Sequence, residues 1–162
     1  MERIQHLFSG RLQMPNELSF AMLKPGIIQR RIAGEILARI EKKGLDIVAL
    51  KLMKIDEKLA RAHYIEHEGK EFYEGLIKYI TSGPVVAMVV GGDDAVSLLR
   101  KLCGATKVED ALPGTIRGDY ADHTSMNVIH ASDGVESAKR EIDLFFSASE
   151  LILWKDGNDE WI

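Results

Sequence analysis

Ser82-Gly-Pro-Val-Val-Ala-Met-Val-Val-Gly-Gly92 is the stretch from which the fold can be read. Its centre, Val85 to Val90, is an unbroken apolar run rich in valine, closed by Ser-Gly-Pro before it and Gly-Gly after it. β-Branched side chains suit a pleated surface, and the flanking breakers limit the run to strand length, so it reads as a central strand.

Upstream, Leu18-Ser-Phe-Ala-Met-Leu23 is a short buried strand stopped by Lys24-Pro25-Gly26. Ile32, Ile36, Leu37 and Ile40 recur at helical spacing and predict a helix over 32–43, with Gly44 as its stop. Leu45 to Lys54 alternates roughly and is a second strand. Asp56 is placed to cap a helix over 57–66, and a second short helix covers 71–81. Downstream of the central strand, Asp93 or Asp94 caps a helix running to about Leu102. Residues 104–120 hold three glycines and Pro113 without periodicity and read as a loop; loops of that length in a compact domain are usually functional or disordered. Met126 to His130 is a short strand, and Asp133 with Glu136 has capping-box spacing before a last helix whose Val135, Ala138, Ile142 and Phe145 share a face.

The order is β-α-β, a helical hairpin, then β-α-β. That pattern fits an α+β chain with a ferredoxin-like, split β-α-β antiparallel sheet and helices packed on one face of it. An open doubly wound sheet is the topological rival, but no G-x-G-x-x-G or G-x-x-x-x-G-K fingerprint follows the first strand.

The chain has 162 residues, enough for one domain with a sizeable core. Residues 1–16 read as an N-terminal extension and 17–162 as the domain. Hydrophobic residues are 46% and charged residues 28%, as in ordinary globular domains, and the net charge of −4 disfavours a non-specific nucleic-acid binder. Cys103 stands alone, so no internal disulfide can form and a reducing, cytoplasmic setting is expected. No apolar run approaches the roughly 18 residues of a membrane span, and no secretory signal is evident.

Asn127-Val-Ile-His-Ala-Ser-Asp133 carries the chemistry. His130 falls at a strand end just before a helix N-terminus, where an imidazole can act as a nucleophile near neutral pH and the helix supplies unpaired N–H groups for an anion. A lone histidine there is more often a simple hydrogen-bonding group. Glu141 shifts the balance, because it lies with Ala138, Ile142 and Phe145 on the apolar side of the last helix, a costly place for a carboxylate without a partner. Either it fixes one ring nitrogen of His130 or its head reaches water at the rim of the core. Lys24, Arg100, Thr106 and Arg117 are candidate donors to phosphate oxygens, each at a strand end, in the long loop or on the helix leading into it. Phe72 is an aromatic that could stack on a base, whereas Tyr73 reads as core.

These segments resemble the nucleoside diphosphate kinase family. Asn127 to Asp133 is similar to its active-site signature, Asn-x-x-His-(Gly/Ala)-Ser-Asp. Lys24-Pro25 with Gln29-Arg30, His63-Tyr64, Gly75-Leu76 with Lys78-Tyr79, Ser82 to Met88, Pro113-Gly-Thr-Ile-Arg-Gly-Asp119, Val135 to Ala138 and Glu141-Ile142 follow in family order. The resemblance implies transfer of a γ-phosphoryl from a nucleoside triphosphate, typically ATP, to a nucleoside diphosphate. Turnover would be ping-pong, through a phosphohistidine on Nδ1 of His130. It implies that Glu141 holds the other ring nitrogen with Ser132 in support, and that Lys24, Tyr64, Arg117 and Asn127 surround the phosphoryl and sugar. Arg100 and Thr106 would hold the distal phosphates, and Phe72 and Leu76 the base. Mg²⁺ is implied as cofactor, held mainly by the nucleotide phosphates rather than by protein ligands. A homo-oligomer is implied, a hexamer before a tetramer, with the 104–120 loop in the subunit contacts; neither a membrane nor a specific nucleic acid is expected as a partner. The chain departs from the family in two places. Lys-Pro-Asp-Gly is here Lys24-Pro25-Gly26-Ile27, and a commonly apolar position against the base is Thr124. A non-catalytic nucleotide-binding module on the same fold is the competing reading.

Overall fold

A computed structural model describes residues 15–154. Four strands, β1 (Glu17–Leu23), β2 (Asp46–Lys54), β3 (Pro84–Gly92) and β4 (Ile129–Ala131), form one sheet in the order β2-β3-β1-β4. All three neighbouring pairs are antiparallel. The two β-α-β units interleave, so the valine-rich strand lies between β2 and β1. The helices are α1 (Ala33–Lys42), α2 (Glu57–His63), α3 (Tyr73–Ile80), α4 (Ala95–Cys103), α5 (Ile116–Tyr120) and α6 (Val135–Phe145). This is the ferredoxin-like, split β-α-β arrangement expected from the element order.

The expectation of helices on one face does not hold. Alternate residues of β1 and β3 point into two separate cores. Ala21, Leu23, Val86, Met88 and Val90 pack with Ile36 and Ile40 of α1 and Leu99 and Cys103 of α4. Phe20, Met22, Val85, Ala87 and Val89 pack with Ala60 of α2, Ile77 and Ile80 of α3 and Ile142 and Phe145 of α6. Helices on both faces explain why the central strand is apolar without alternation: each of its sides is covered.

Three other local readings change. Residues 104–120 contain α5, whose first turn is capped by the Thr115 hydroxyl accepting from Gly118 N. The 57–66 helix stops at His63 and continues only as a short 3-10 turn. At the start of α6 the pairing runs not from Asp133 to Glu136 but through Ser137, whose hydroxyl accepts from Gly134 N and donates to Asp133. A serine hydroxyl both donates and accepts, so one side chain there does what the box divides between two. No helix among the described residues is long and apolar enough to cross a membrane.

Candidate active site

His130 sits on β4 opposite Met22 of β1, so a strand fully buried from Ser19 to Leu23 positions its main chain. β4 is only three residues long because the chain turns sharply before it. Val128 adopts φ +58, and Ile129 N donates to Asn127 O at 2.7 Å across it. This is the strained form of a γ-turn, unfavourable for a β-branched residue. It turns the Asn127 and Ile129 carbonyls toward Arg117 and lets the Asn127 side chain meet Lys24. Val128 is held there by its carbonyl, which accepts from Lys24 N, and by its own burial in the core.

On one side of the histidine, Nε2 of His130 lies 2.8 Å from Oε1 of Glu141, the residue that α6 buries on its inner face. The second carboxylate oxygen accepts from the Ser132 hydroxyl, and Ser132 is fully buried. The Ser132 oxygen in turn accepts from Phe20 N at 3.2 Å. Glu141 is therefore not a rim residue: both its oxygens are used, and a neutral imidazole that donates to this carboxylate from Nε2 has its lone pair on Nδ1.

On the other side, Lys24 and Arg117 are both buried. Lys24 Nζ donates to Oδ1 of Asn127 at 2.7 Å. Arg117 donates to the carbonyls of Gly104, Asn127 and Ile129 at 2.8, 3.3 and 2.7 Å. Burial, with the nearby Arg117 guanidinium, pulls Lys24 down to about 7. Burial likewise holds Arg117 below its ordinary value. Every acceptor on these two cations among the described residues is neutral, so their charge is oriented but not cancelled. The Tyr64 hydroxyl is buried without a hydrogen-bond partner, and burial raises it above its ordinary value.

The remaining expected residues spread outward. Thr106 is exposed, and its carbonyl accepts from Nδ2 of Asn127 at 3.4 Å. Arg100 is exposed on α4 beside Asp133 and Gly134, within electrostatic reach of Arg117 but not bonded to it. Phe72 is 55% exposed just before α3, with half-buried Leu76 one turn on. A row of rings links this rim to the histidine: Phe72 to His67 at 5.5 Å, His67 to Tyr64 at 6.1 Å and Tyr64 to His130 at 6.4 Å. The two departures are accommodated locally. Gly26, at φ +97, donates its N–H to the Gln29 side chain, which holds the turn without an acidic residue. Thr124 accepts from Val108 N and donates to Glu109, tying that segment to the long loop.

One residue of the site escaped the residue-by-residue reading. His63, at the end of α2, is 5% exposed, packs edge-on to the His130 ring at 4.6 Å and has neither ring nitrogen hydrogen-bonded. Burial drives it down to about 2, so it is neutral. Its signal was its place on the apolar face of α2 with Leu59 and Ala60, four and three residues before it.

With this geometry in place, comparison with known proteins gives a consistent result. Residues 17–151 match the family model described as nucleoside diphosphate kinase. The chain is 55% identical over 145 residues to a nucleoside diphosphate kinase of Treponema pallidum, covering 90% of this chain and 97% of that protein. It is 56% identical over 146 residues to one from Listeria monocytogenes, covering 90% and 99%. Among solved structures, a halophilic nucleoside diphosphate kinase from Halobacterium salinarum in complex with CDP superposes with TM-score 0.87 at 50% identity, covering 90% of this chain and 97% of that one.

Proposed function

The chain belongs to the nucleoside diphosphate kinase family and is a phosphotransferase acting on nucleotides; we propose that His130 carries the phosphoryl group between them. The observation that carries this reading is the Glu141–His130 pair, which commits Nε2 to the carboxylate and leaves the Nδ1 lone pair for attack.

In the first half-reaction, the Nδ1 lone pair attacks the γ-phosphorus of a nucleoside triphosphate. The bond from phosphorus to the β-γ bridging oxygen breaks, its electron pair stays on that oxygen, and the diphosphate leaves. Nε2 keeps its proton, and the positive charge that develops on the ring is balanced by Glu141, which Ser132 holds in place. In the second half-reaction, a β-phosphate oxygen of the acceptor diphosphate attacks the phosphorus, and the N–P pair returns to Nδ1. Phosphoryl transfer asks a protein mainly for placement and charge. Lys24, Arg117, Tyr64 and Asn127 are assigned to the oxygens of the moving group and the sugar. Arg100 and Thr106 are assigned to the outer phosphates, and Phe72 with Leu76 to the base. The cations beside His130 suit phosphate oxygens, and the one buried carboxylate there is already engaged. Mg²⁺ therefore belongs to the substrate as the Mg²⁺–nucleotide, since that ion prefers phosphate and water oxygens.

We place the protein in the cytoplasm as a homo-oligomer, a hexamer before a tetramer. Leu112, 72% exposed in the 104–120 loop, is an apolar side chain that a subunit contact would cover. Analytical ultracentrifugation decides the count. The nucleophile is tested by mixing the protein with γ-labelled ATP and Mg²⁺. Acid-labile, alkali-stable label is expected, and it is expected to vanish in His130→Ala with the fold retained. Undiminished label in that variant would sink the assignment.

A further inference from the structure

We infer that His63, His130 and Glu141 form a binding site for a zinc-class divalent transition ion, whose occupancy switches off the nucleophile. The inference rests on His130 being the phosphoryl carrier and goes beyond it.

The three side chains come from three elements, α2, β4 and α6, and converge at one point. One ligand atom from each lies within 4.8 Å of the others. Oε1 of Glu141 is 2.8 Å from Nε2 of His130 and 4.0 Å from Nδ1 of His63. Ligands around a tetrahedral zinc ion, at about 2.0–2.1 Å from it, stand roughly 3.3 Å apart. The two observed distances bracket that value, so rotations of the side chains would bring the set into place. Two imidazoles and one carboxylate make a donor set that zinc-class ions favour over magnesium, leaving a fourth position open.

His63 is the independent observation. Its side chain is 1% exposed, and neither ring nitrogen has a hydrogen-bond partner. A buried imidazole without partners is costly, and nothing in phosphoryl transfer as derived above uses it. Its Nδ1 is the nitrogen beside Glu141. The other face of the cluster is open, since the His130 side chain keeps 19% of its surface exposed. Ser132, bonded to the second oxygen of Glu141, would steady the carboxylate as a ligand.

The consequence for catalysis follows from proton bookkeeping on one ring. In the catalytic form Nε2 carries the hydrogen and Nδ1 the lone pair. An ion bound at Nε2 takes that nitrogen's lone pair, so the ring's one hydrogen must move to Nδ1. No proton is gained or lost overall, but Nδ1 no longer has a pair with which to attack phosphorus. The ion would act by fixing the wrong tautomer rather than by blocking the nucleotide.

The test uses the full-length protein without nucleotide. Co²⁺ should give the visible absorption of a four- or five-coordinate nitrogen–oxygen site, and one equivalent of Zn²⁺ should displace it. In proton–nitrogen correlation spectra of the imidazoles, one equivalent of Zn²⁺ should move the signals of His63 and His130 and leave His67 and His123 in place. His63→Gln, checked for folding by circular dichroism, should weaken Co²⁺ binding by about tenfold or more, the least expected for losing a direct ligand. Labelling by γ-labelled ATP and Mg²⁺ should stop with one equivalent of Zn²⁺ and return with a zinc-selective chelator. The wild-type spectra need no variant: unmoved His63 and His130 signals overturn the site. A protein that labels normally but shows no such shift loses only this inference, whereas one that takes no label without zinc loses the reading of His130 on which it stands.

Discussion

The two sides of His130 are built on opposite principles. On the Glu141 side, the groups that hold the ring, His63 apart, are satisfied inside the protein: Nε2 by the carboxylate, the carboxylate by Ser132, Ser132 by the main chain of β1. On the Lys24 side, two cations are buried against neutral oxygens and a tyrosine hydroxyl has no partner. On the proposed reading, the first side aims a nucleophile before substrate arrives, while the second keeps charge poorly solvated so that an anion relieves it. Preorganised charge in a dry site is worth more to a transition state than the same charge in water, and it is maintained at the expense of stability in the free protein. Substitutions on the two sides should therefore separate activity from stability with different signs.

The largest effect is expected at Lys24. Lys24→Met should cut exchange by roughly 10²–10³-fold, the scale of losing one charge-stabilising donor, yet leave the protein as stable or more stable. The sign follows from linkage. The fold lowers Lys24 from 10.5 to about 7, so below pH 7 the protein bears the full cost of a buried charge. Between about 7 and 10.5 the unfolded chain binds more protons than the folded one, so this group makes stability rise with pH. Thermal melts at several pH values should show the variant's advantage greatest below pH 7 and fading toward pH 10. A variant less stable than wild type across that whole range would mean that Asn127 and Lys24 are a structural pair and would break the comparison.

Glu141→Gln comes next. The amide oxygen can still accept from Nε2, so folding should survive, but the negative charge is gone. The kcat should fall by roughly 10²-fold, on the scale of lost acid–base assistance, with KM little changed. An unchanged kcat would show that the carboxylate only orients the ring. Ser132→Ala should be milder in activity, a few-fold in kcat. It should also destabilise by about 1–2 kcal/mol, because the buried carboxylate oxygen and Phe20 N both lose a partner. Urea unfolding measures this, and a loss of activity without loss of stability would place Ser132 on the wrong side of the comparison.

The same contrast explains what could be read from sequence. The apolar, breaker-bounded β3 and the periodic helices were legible because burial leaves a pattern in composition. Coverage of both sheet faces was not read, although Val85 to Val90 carries its mark, a run with no polar alternate. Glu141 was legible because a carboxylate on an apolar face contradicts its surroundings. Lys24, Arg117 and Arg100 look individually like surface charges, and only the motif resemblance made them a set. The γ-turn at Val128 left no trace at all, because a valine is a poor residue for φ +58 and only tertiary contacts hold it there. α5 was hidden for a related reason: it is five residues long, too short for periodicity, and one threonine caps it.

Phe72 supplies the smallest and cleanest test, because it belongs to neither side. Its ring is more than half exposed at the outer end of the aromatic row, so the folded protein gains little from it. Phe72→Ala should leave the melting temperature within about a degree, as for an exposed side chain outside the core. If the ring stacks on the base, the variant should raise KM by roughly 5–10-fold, toward the lower end of what base–aromatic stacking contributes. Stacking reads a flat face rather than a pattern of donors and acceptors, so the increase should be similar for purine and pyrimidine diphosphates. With kcat held, such a result would separate where the nucleotide is gripped from where its phosphate reacts. A fall in kcat of tenfold or more would instead tie this distant ring to the alignment of the phosphoryl group, so that His130 and the cations opposite it could not be treated as a site complete in itself.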